Sequence, residues 1–278
     1  MKKLIIWLNV YKIIINSDFM NVTEEKMVNL LKELKRDYGV IAVKAEFETE
    51  GSRKNELTKL RDIISKSGLK MYIKIGGCEA IRDMDDCKIL SADGIMAPMI
   101  ETPFAASKFK NAFNKVFPTQ DDGIIDRIIN LETITAYNNI DEIFSQNQDF
   151  LDTVVIGRSD FSSSCGIPKS EVNGTQMLSY CREIIEKSND YGFNSAFGGS
   201  ISIDSFDFFN ELRNITDRLE TRKIVFDVNK LGDNYNTGVK KAIDFEYLYL
   251  KNKVDYYQSV VDEDKARFLD LKKRVNLD

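Results

Sequence analysis

Residues 126–157, DRIINLETITAYNNIDEIFSQNQDFLDTVVIG, decide the fold. Two short apolar runs, DRIINLE (126–132) and DTVVIG (152–157), stop on polar residues or glycine, and a helix pattern near 138–147 lies between them. A strand, a helix and a strand in so short a span form a βαβ unit, which belongs to a mostly parallel sheet. The same rhythm continues outward, with strands expected at GVIAVKAEF (39–47), LKMYIKI (69–75), DGIMAPMI (93–100), NSAFGG (194–199) and RKIVFDV (222–228). Helix patterns near 53–67, 79–91, 103–115, 174–191 and 205–213 separate them, and a first helix over 22–38 starts at an Asn21 or Thr23 cap and stops at Gly39. These runs make seven strands, and LIIWLNVYKI near the N-terminus offers an eighth.

Seven or eight strands in 278 residues fit an α/β fold of the (β/α)8 TIM-barrel type, which needs about 250 residues. A doubly wound open sheet is the rival. No strand leads into G-x-G-x-x-G or G-x-x-x-x-G-K-[ST], so neither nucleotide fingerprint supports that rival. We expect a barrel domain over 1–236 and a C-terminal helical extension over 237–278. In the extension Val254, Tyr257, Val261, Phe268, Leu271 and Val275 recur at helical steps, a stripe for packing on the barrel or on a neighbouring subunit of a homo-oligomer.

Composition removes whole classes of function. The chain has no histidine, so a Ser-His-Asp triad, an imidazole ligand and an imidazole base are all excluded. Its net charge of −5 argues against general nucleic-acid binding. Cys78, Cys87, Cys165 and Cys181 form no C-x-x-C pair and read as reduced core residues of a cytoplasmic protein. No run of eighteen apolar residues is present to span a membrane. The opening MKKLIIWLNVYKIIIN is interrupted by Asn9 and Lys12 and lacks a small-x-small cleavage site, so it does not read as a signal peptide.

In a parallel barrel the chemistry sits at the C-terminal ends of the strands. The polar residues that close each run are Lys44, Glu46 and Glu48; Lys74, Gly76 and Gly77; Glu101; Asn130 and Glu132; Arg158, Ser159 and Asp160; Ser200; and Asp227 and Asn229. Such a ring, rich in carboxylates with a few cations, suits a hard divalent ion and an anionic substrate.

Two segments carry a resemblance. Glu132 closes one strand, and Gly157 to Ser162 (GRSDFS) follows one helix and one strand later, while DGIMAPMIETPFAASKF (93–109) precedes both. In these features the chain resembles the HpcH/HpaI aldolase and citrate lyase family of the pyruvate/phosphoenolpyruvate barrel superfamily, most specifically over 93–166 and more weakly from Gly39 to Asn229. The resemblance implies Glu132 and Asp160 as ligands of Mg²⁺ or Mn²⁺ and a pyruvate, oxaloacetate or phosphoenolpyruvate-like substrate. It sets Asn130 where the family has an amide side chain. Lys74 stands where the family has an arginine beside the keto oxygen, an exchange that keeps the charge and loses the fork. Where aldolases of the family read D-x-E-H, this chain has Lys44, Glu46 and Phe47. The histidine that moves protons there is gone, leaving Glu46, a metal-bound water or the substrate for that task.

From these residues we expect a metal-dependent carbon–carbon lyase or aldolase-like enzyme. Lys74 and Glu46 are its candidate catalytic groups, Lys44, Asn130, Arg158 and Ser159 its substrate-binding groups, and Glu132 and Asp160 its metal ligands. Backbone N–H groups of the Gly157–Ser162 loop are candidates for holding a substrate carboxylate. A Schiff-base aldolase using Lys74, and an inactive barrel serving as a binding or assembly subunit, stay open as alternatives.

Overall fold

The structure, a computed structural model, describes residues 20–118 and 125–275. The LIIWLNVYKI strand candidate lies outside the described residues. Eight strands nevertheless close a barrel in sequence order: β1 Val40–Glu46, β2 Lys70–Lys74, β3 Gly94–Ala97, β4 Asp126–Leu131, β5 Thr153–Gly157, β6 Asn194–Gly198, β7 Arg218–Glu220 and β8 Ile224–Asp227. Neighbours from β1 to β7 pair in parallel.

The last strand departs from the expectation. The run around RKIVFDV is two strands, not one, because the chain reverses at Arg222 and Lys223 and Thr221 N–H donates to Ile224 O at 2.9 Å. As a result β8 is antiparallel to both β7 and β1. Its terminal Asp227 pairs with Arg218, the first residue of β7, and caps Val228–Leu231 by accepting from the Asn229 and Lys230 N–H groups. Asp227 and Asn229 therefore lie at the N-terminal end of the barrel, away from the strand-end ring in which they were expected.

Alternation along each strand sorts side chains between two cores. Ala42, Tyr72, Met96, Ile128, Val155, Ala196 and Val225 fill the barrel interior. Residues of opposite parity meet the helices in the main core, including Ile73, Ile95, Ile129, Val154, Ile156 and Phe197. The N-terminal end is sealed by polar pairing: Asp126 accepts from Tyr72 Oη at 2.9 Å and Thr153 Oγ1 at 2.8 Å, and pairs with Arg218 at 2.6 Å. Burial and Asp126 both push the Tyr72 phenol pKa up, so it stays a neutral donor.

The first helix is Val22–Tyr38, with a capping box from Asn21 and Glu24 and a left-handed Gly39 at its end. It packs against the long C-terminal helix, Tyr235–Arg274, whose buried stripe is Tyr235, Gly238, Val239, Ala242, Phe245 and Tyr249. Beyond Tyr249 the helix is held by polar contacts. Lys253 pairs with Glu56 at 2.9 Å, Tyr257 Oη donates to Glu56 at 2.5 Å, and Asn21 donates to Asn252 at 2.8 Å. Of the stripe read from the sequence, Val254, Val261, Phe268, Leu271 and Val275 are exposed in the single chain.

Candidate active site

The C-terminal strand ends surround a cavity of about 170 Å³. Lys44 and Glu46 from β1, Lys74 from β2, Asn130 and Glu132 at the end of β4, Ser159 and Asp160 after β5, and Glu220 and Arg222 at the β7 turn line it. The inward parity of β1 and β4 puts residues 44 and 46, and 130 and 132, on the lumen side. A larger cavity of about 920 Å³ lies between the C-terminal helix and the starts of Val22–Tyr38 and Lys54–Ser67, and shares none of these residues.

Glu132 is almost fully buried and held from three sides. Its Oε1 accepts the Met99 N–H at 2.9 Å, while Oε2 accepts from Asn130 Nδ2 at 3.1 Å and faces Lys74 Nζ at 3.3 Å. Met99 delivers that N–H from a left-handed backbone (φ 52°), a conformation unfavourable for a side-chain-bearing residue and here tied to the orientation of one carboxylate. Gly157 completes the grip, since a Cβ there would stand 2.7 Å from Glu132 Oε2.

Asp160 is different in kind. Among the described residues it has no hydrogen-bond or ion-pair partner. Burial first, and then the nearby negative charge of Glu132, push its pKa up, with Lys74 and Arg222 acting the other way. Asn130 Oδ1 is buried and has no hydrogen-bond partner among the described residues. A braced carboxylate, a second carboxylate without a countercharge and an orphaned amide oxygen are oxygen donors of the kind a hard cation takes, so these residues fit Mg²⁺ or Mn²⁺. Among the described residues no group of three or more acidic, His or Cys side chains is arranged to hold a metal ion, so a cation here would take at most two carboxylates from the chain.

The cations of the cavity are braced. Lys74 Nζ lies 2.7 Å from Glu48 as well as near Glu132. Burial alone would lower its pKa, but Glu132, Glu48 and Glu46 outweigh burial and raise it, so the ammonium form persists at neutral pH. Lys44 pairs with the buried Glu220 at 2.6 Å. Glu46 lines the cavity 3.5 Å from Arg222, and Phe47 packs into the core with its N–H on Lys74 O at 2.8 Å.

Two expectations require correction. Arg158 does not face the cavity. It is fully buried, and its guanidinium donates to Gly198 O, Gly199 O, Val172 O and Asn173 Oδ1 while its plane sits 4.3 Å from the Phe208 ring centroid. Burial without a carboxylate partner lowers its pKa to about 10. Its role is to tie the ends of β5 and β6 together. The Gly157–Ser162 segment is not a loop but opens the helix Arg158–Ser164 directly after β5. Ser159 does reach the mouth, where its Oγ shares a 3.0 Å hydrogen bond with Ser200 Oγ. Glu101, Gly76 and Gly77 stand outside the lining. Glu220, Arg222 and the Met99 N–H escaped the sequence reading. Only the alternation Arg218, Glu220, Arg222 signalled the first two, and nothing in the sequence signalled the third.

Solved structures support the fold. A HpcH/HpaI aldolase from Desulfitobacterium hafniense DCB-2 superposes with a TM-score of 0.58 at 14% identity, over 72% of this chain and 82% of its own. Citrate synthase SbnG gives 0.55 at 16%, covering 84% of this chain and 98% of its own. A HpcH/HpaI aldolase/citrate lyase family protein from Burkholderia cenocepacia J2315 gives 0.53 at 11%, covering 69% and 91%. No curated protein matches the sequence. The family model HpcH/HpaI aldolase/citrate lyase matches residues 58–198, just over half of the chain, and includes both carboxylates. The chain belongs to the HpcH/HpaI aldolase/citrate lyase family.

Proposed function

We propose that the protein is a divalent-metal-dependent carbon–carbon lyase of aldolase type acting on a small 2-oxo acid such as pyruvate or oxaloacetate. Family membership supports the lyase class, and the observation that carries the finer reading is the nearness of Glu132 to Asp160, which among the described residues has no partner. Glu132 and Asp160 would hold Mg²⁺ or Mn²⁺. A cation there supplies Lewis-acid stabilisation of charge developing on a keto oxygen.

The chain's own groups do the rest. Lys74, kept protonated by its carboxylate neighbours, adds a second positive group toward the same oxygen. The Ser159 hydroxyl is a donor for the substrate carboxylate, and Asn130 fixes Glu132. Glu46, inside the cavity with Phe47 turned into the core, is the group placed to move a proton at the carbon next to the keto group. The raised pKa of Lys74 works against a Schiff-base route, which needs the neutral amine. The exposed stripe on the C-terminal helix supports a homo-oligomer, and four free cysteines suit a cytoplasmic setting; no helix of the described residues is long and apolar enough to cross a membrane.

Exchange of the pyruvate methyl protons with D₂O, followed by NMR, tests this reading. It is expected with added Mn²⁺ or Mg²⁺, to vanish with EDTA and to be lost in Glu132→Gln. Metal-independent exchange with borohydride trapping at Lys74 would replace it with the Schiff-base mechanism. No exchange and no metal binding would leave an inactive binding barrel.

A further inference from the structure

The turn that reverses the chain before β8 puts two cations side by side, and they lie in opposite surroundings. The Arg222 side chain at the cavity mouth is 44% exposed, whereas the neighbouring Lys223 side chain is 1% exposed. Burying an ammonium is costly unless a carboxylate meets it, and a lysine on a hairpin turn has water within reach of its flexible stem. Lys223 turns inward instead, onto the Glu50 carboxylate, with its Nζ 4.5 Å from the centroid of the Tyr249 ring on the C-terminal helix. Burial pulls its pKa down, and Glu50 first and Glu46 behind it pull the other way.

From this buried charge a chain of ion pairs runs to the catalytic cavity. Lys223 Nζ donates to Glu50 Oε2, Glu50 Oε1 accepts from Arg222 Nε at 3.3 Å, and Arg222 Nη2 faces Glu46 Oε2 at 3.5 Å. The Lys44 N–H donates to Lys223 O at 2.7 Å, so the backbone of the turn is fixed to β1, the strand that ends in Glu46. Arg222 on its own would be loosely held, because contacts of 3.3 and 3.5 Å are longer than the roughly 2.7–2.9 Å of a tight charge-assisted bond. Glu50, clamped by Lys223, restricts where the guanidinium points. The other charges that act on Glu46 come from Lys74 on β2, Asp160 after β5 and Glu246 on the C-terminal helix. Lys74 is committed to Glu48 and Glu132, and the two carboxylates repel Glu46, so the Arg222–Lys223 turn supplies the countercharge on its side of the cavity.

Resting on the function proposed above, we infer that Lys223 and Glu50 are positioning residues for the proton transfer: they hold Arg222 against Glu46, and Arg222 holds the Glu46 carboxylate toward the substrate carbon. Neither Lys223 nor Glu50 lines the cavity. In the step they serve, the Glu46 carboxylate takes a proton from the pyruvate methyl carbon, the C–H electron pair passes into the enolate, and return of a proton from solvent to that carbon regenerates pyruvate.

Removing the pair as a whole separates this role from a structural one. Lys223→Met combined with Glu50→Met leaves no unpaired buried charge, and such apolar replacements often preserve stability. Initial rates of Mn²⁺-supported pyruvate methyl exchange give kcat and KM for that double variant, for each single variant and for Arg222→Gln. Lys230→Met, at an exposed lysine beside Asp227 at the N-terminal end of the barrel, is the control and should match the wild type. The expected kcat is about tenfold below wild type in Arg222→Gln and in the double variant, with KM for pyruvate within about twofold. Each single variant that folds should lose about tenfold as well, and the double variant no more than that, because the two residues act through one chain of contacts. Should the double variant fail to fold, Arg222→Gln, at a half-exposed side chain, decides alone. Wild-type kcat in the folded double variant makes the pair structural and overturns the inference, and a raised KM at wild-type kcat in Arg222→Gln overturns it by making Arg222 a substrate-binding group. Absence of exchange in the wild type removes the function reading and this inference together, whereas wild-type exchange that persists at full rate in Arg222→Gln and the double variant removes the inference alone.

Discussion

Gly157→Ala probes the Glu132 carboxylate without altering that residue. The backbone at Gly157 (φ −84°, ψ 80°) suits alanine, so the effect comes from the added methyl group alone. That Cβ would sit 2.7 Å from Glu132 Oε2, where ordinary contacts begin at 3.4 Å, so the carboxylate must retreat by about 0.7 Å, the difference of the two. Glu132 is held by contacts at 2.9, 3.1 and 3.3 Å to Met99, Asn130 and Lys74, and a shift of that size breaks at least one. Losing one hydrogen bond to a charged group costs about 2 kcal/mol. At about 2–4 °C per kcal/mol for a domain near this size, the unfolding midpoint should fall by about 4–8 °C. Displacing a ligand by removing its support typically weakens metal affinity about 10–100-fold. Differential scanning fluorimetry and Mn²⁺ titration measure the two, with Gly77→Ala as a control because nothing lies within 4 Å of its Cβ. Wild-type stability and wild-type Mn²⁺ affinity in Gly157→Ala would refute the placement of Glu132.

Other substitutions test separate parts of the account. Arg158→Met strands the carbonyls of Gly198, Gly199 and Val172, and should cost about 3 kcal/mol in urea unfolding; a stable variant with only a raised KM would restore Arg158 as a substrate group. Met99→Gly removes a left-handed penalty of about 1–2 kcal/mol at a half-exposed side chain against a glycine entropy cost of about 0.5–1 kcal/mol, so the unfolding midpoint should hold or rise slightly, and a fall of several degrees would contradict the strain argument. The Glu56 carboxyl pKa is lowered: burial alone raises it, but hydrogen bonds from Tyr257, the Arg53 N–H and Lys253 outweigh burial. A lowered folded-state pKa gives stability that is present above the unfolded value near 4.3 and lost as pH falls through the folded one. Glu56→Gln should therefore lower stability at pH 7 and flatten the acid limb below about pH 4.5 in pH-dependent melts, and an unchanged acid limb would remove Glu56 as an anchor of the C-terminal helix.

The alternating apolar runs and helix caps made most of the barrel legible, because burial on both faces of a parallel strand leaves a mark in any single sequence. Asn21 and Gly39 bound the first helix as read, and Lys44, Glu46, Lys74, Asn130, Glu132, Ser159 and Asp160 converge on one cavity. The reversal before β8 was illegible because its turn is Arg222–Lys223, without the Gly, Asn or Pro that marks a hairpin; Thr221 closes it instead. That hidden turn moved Asp227 and Asn229 to the far end and brought Glu220 and Arg222 to the mouth. Arg158 misled for another reason: position after a strand does not say which way a side chain points, and this one turned toward the carbonyls of the neighbouring strand end.

The central claim is that Glu132 and Asp160 together hold one divalent cation. Mn²⁺ titration monitored by the EPR signal of the free ion tests it on the wild type, Glu132→Gln and Asp160→Asn. The account predicts one bound ion per wild-type chain and at least tenfold weaker binding in each variant, with metal-free Asp160→Asn unfolding at or above the wild-type temperature because among the described residues that side chain has no partner to lose and its charge faces Glu132. Equal Mn²⁺ binding by all three proteins, or none by the wild type, would contradict it.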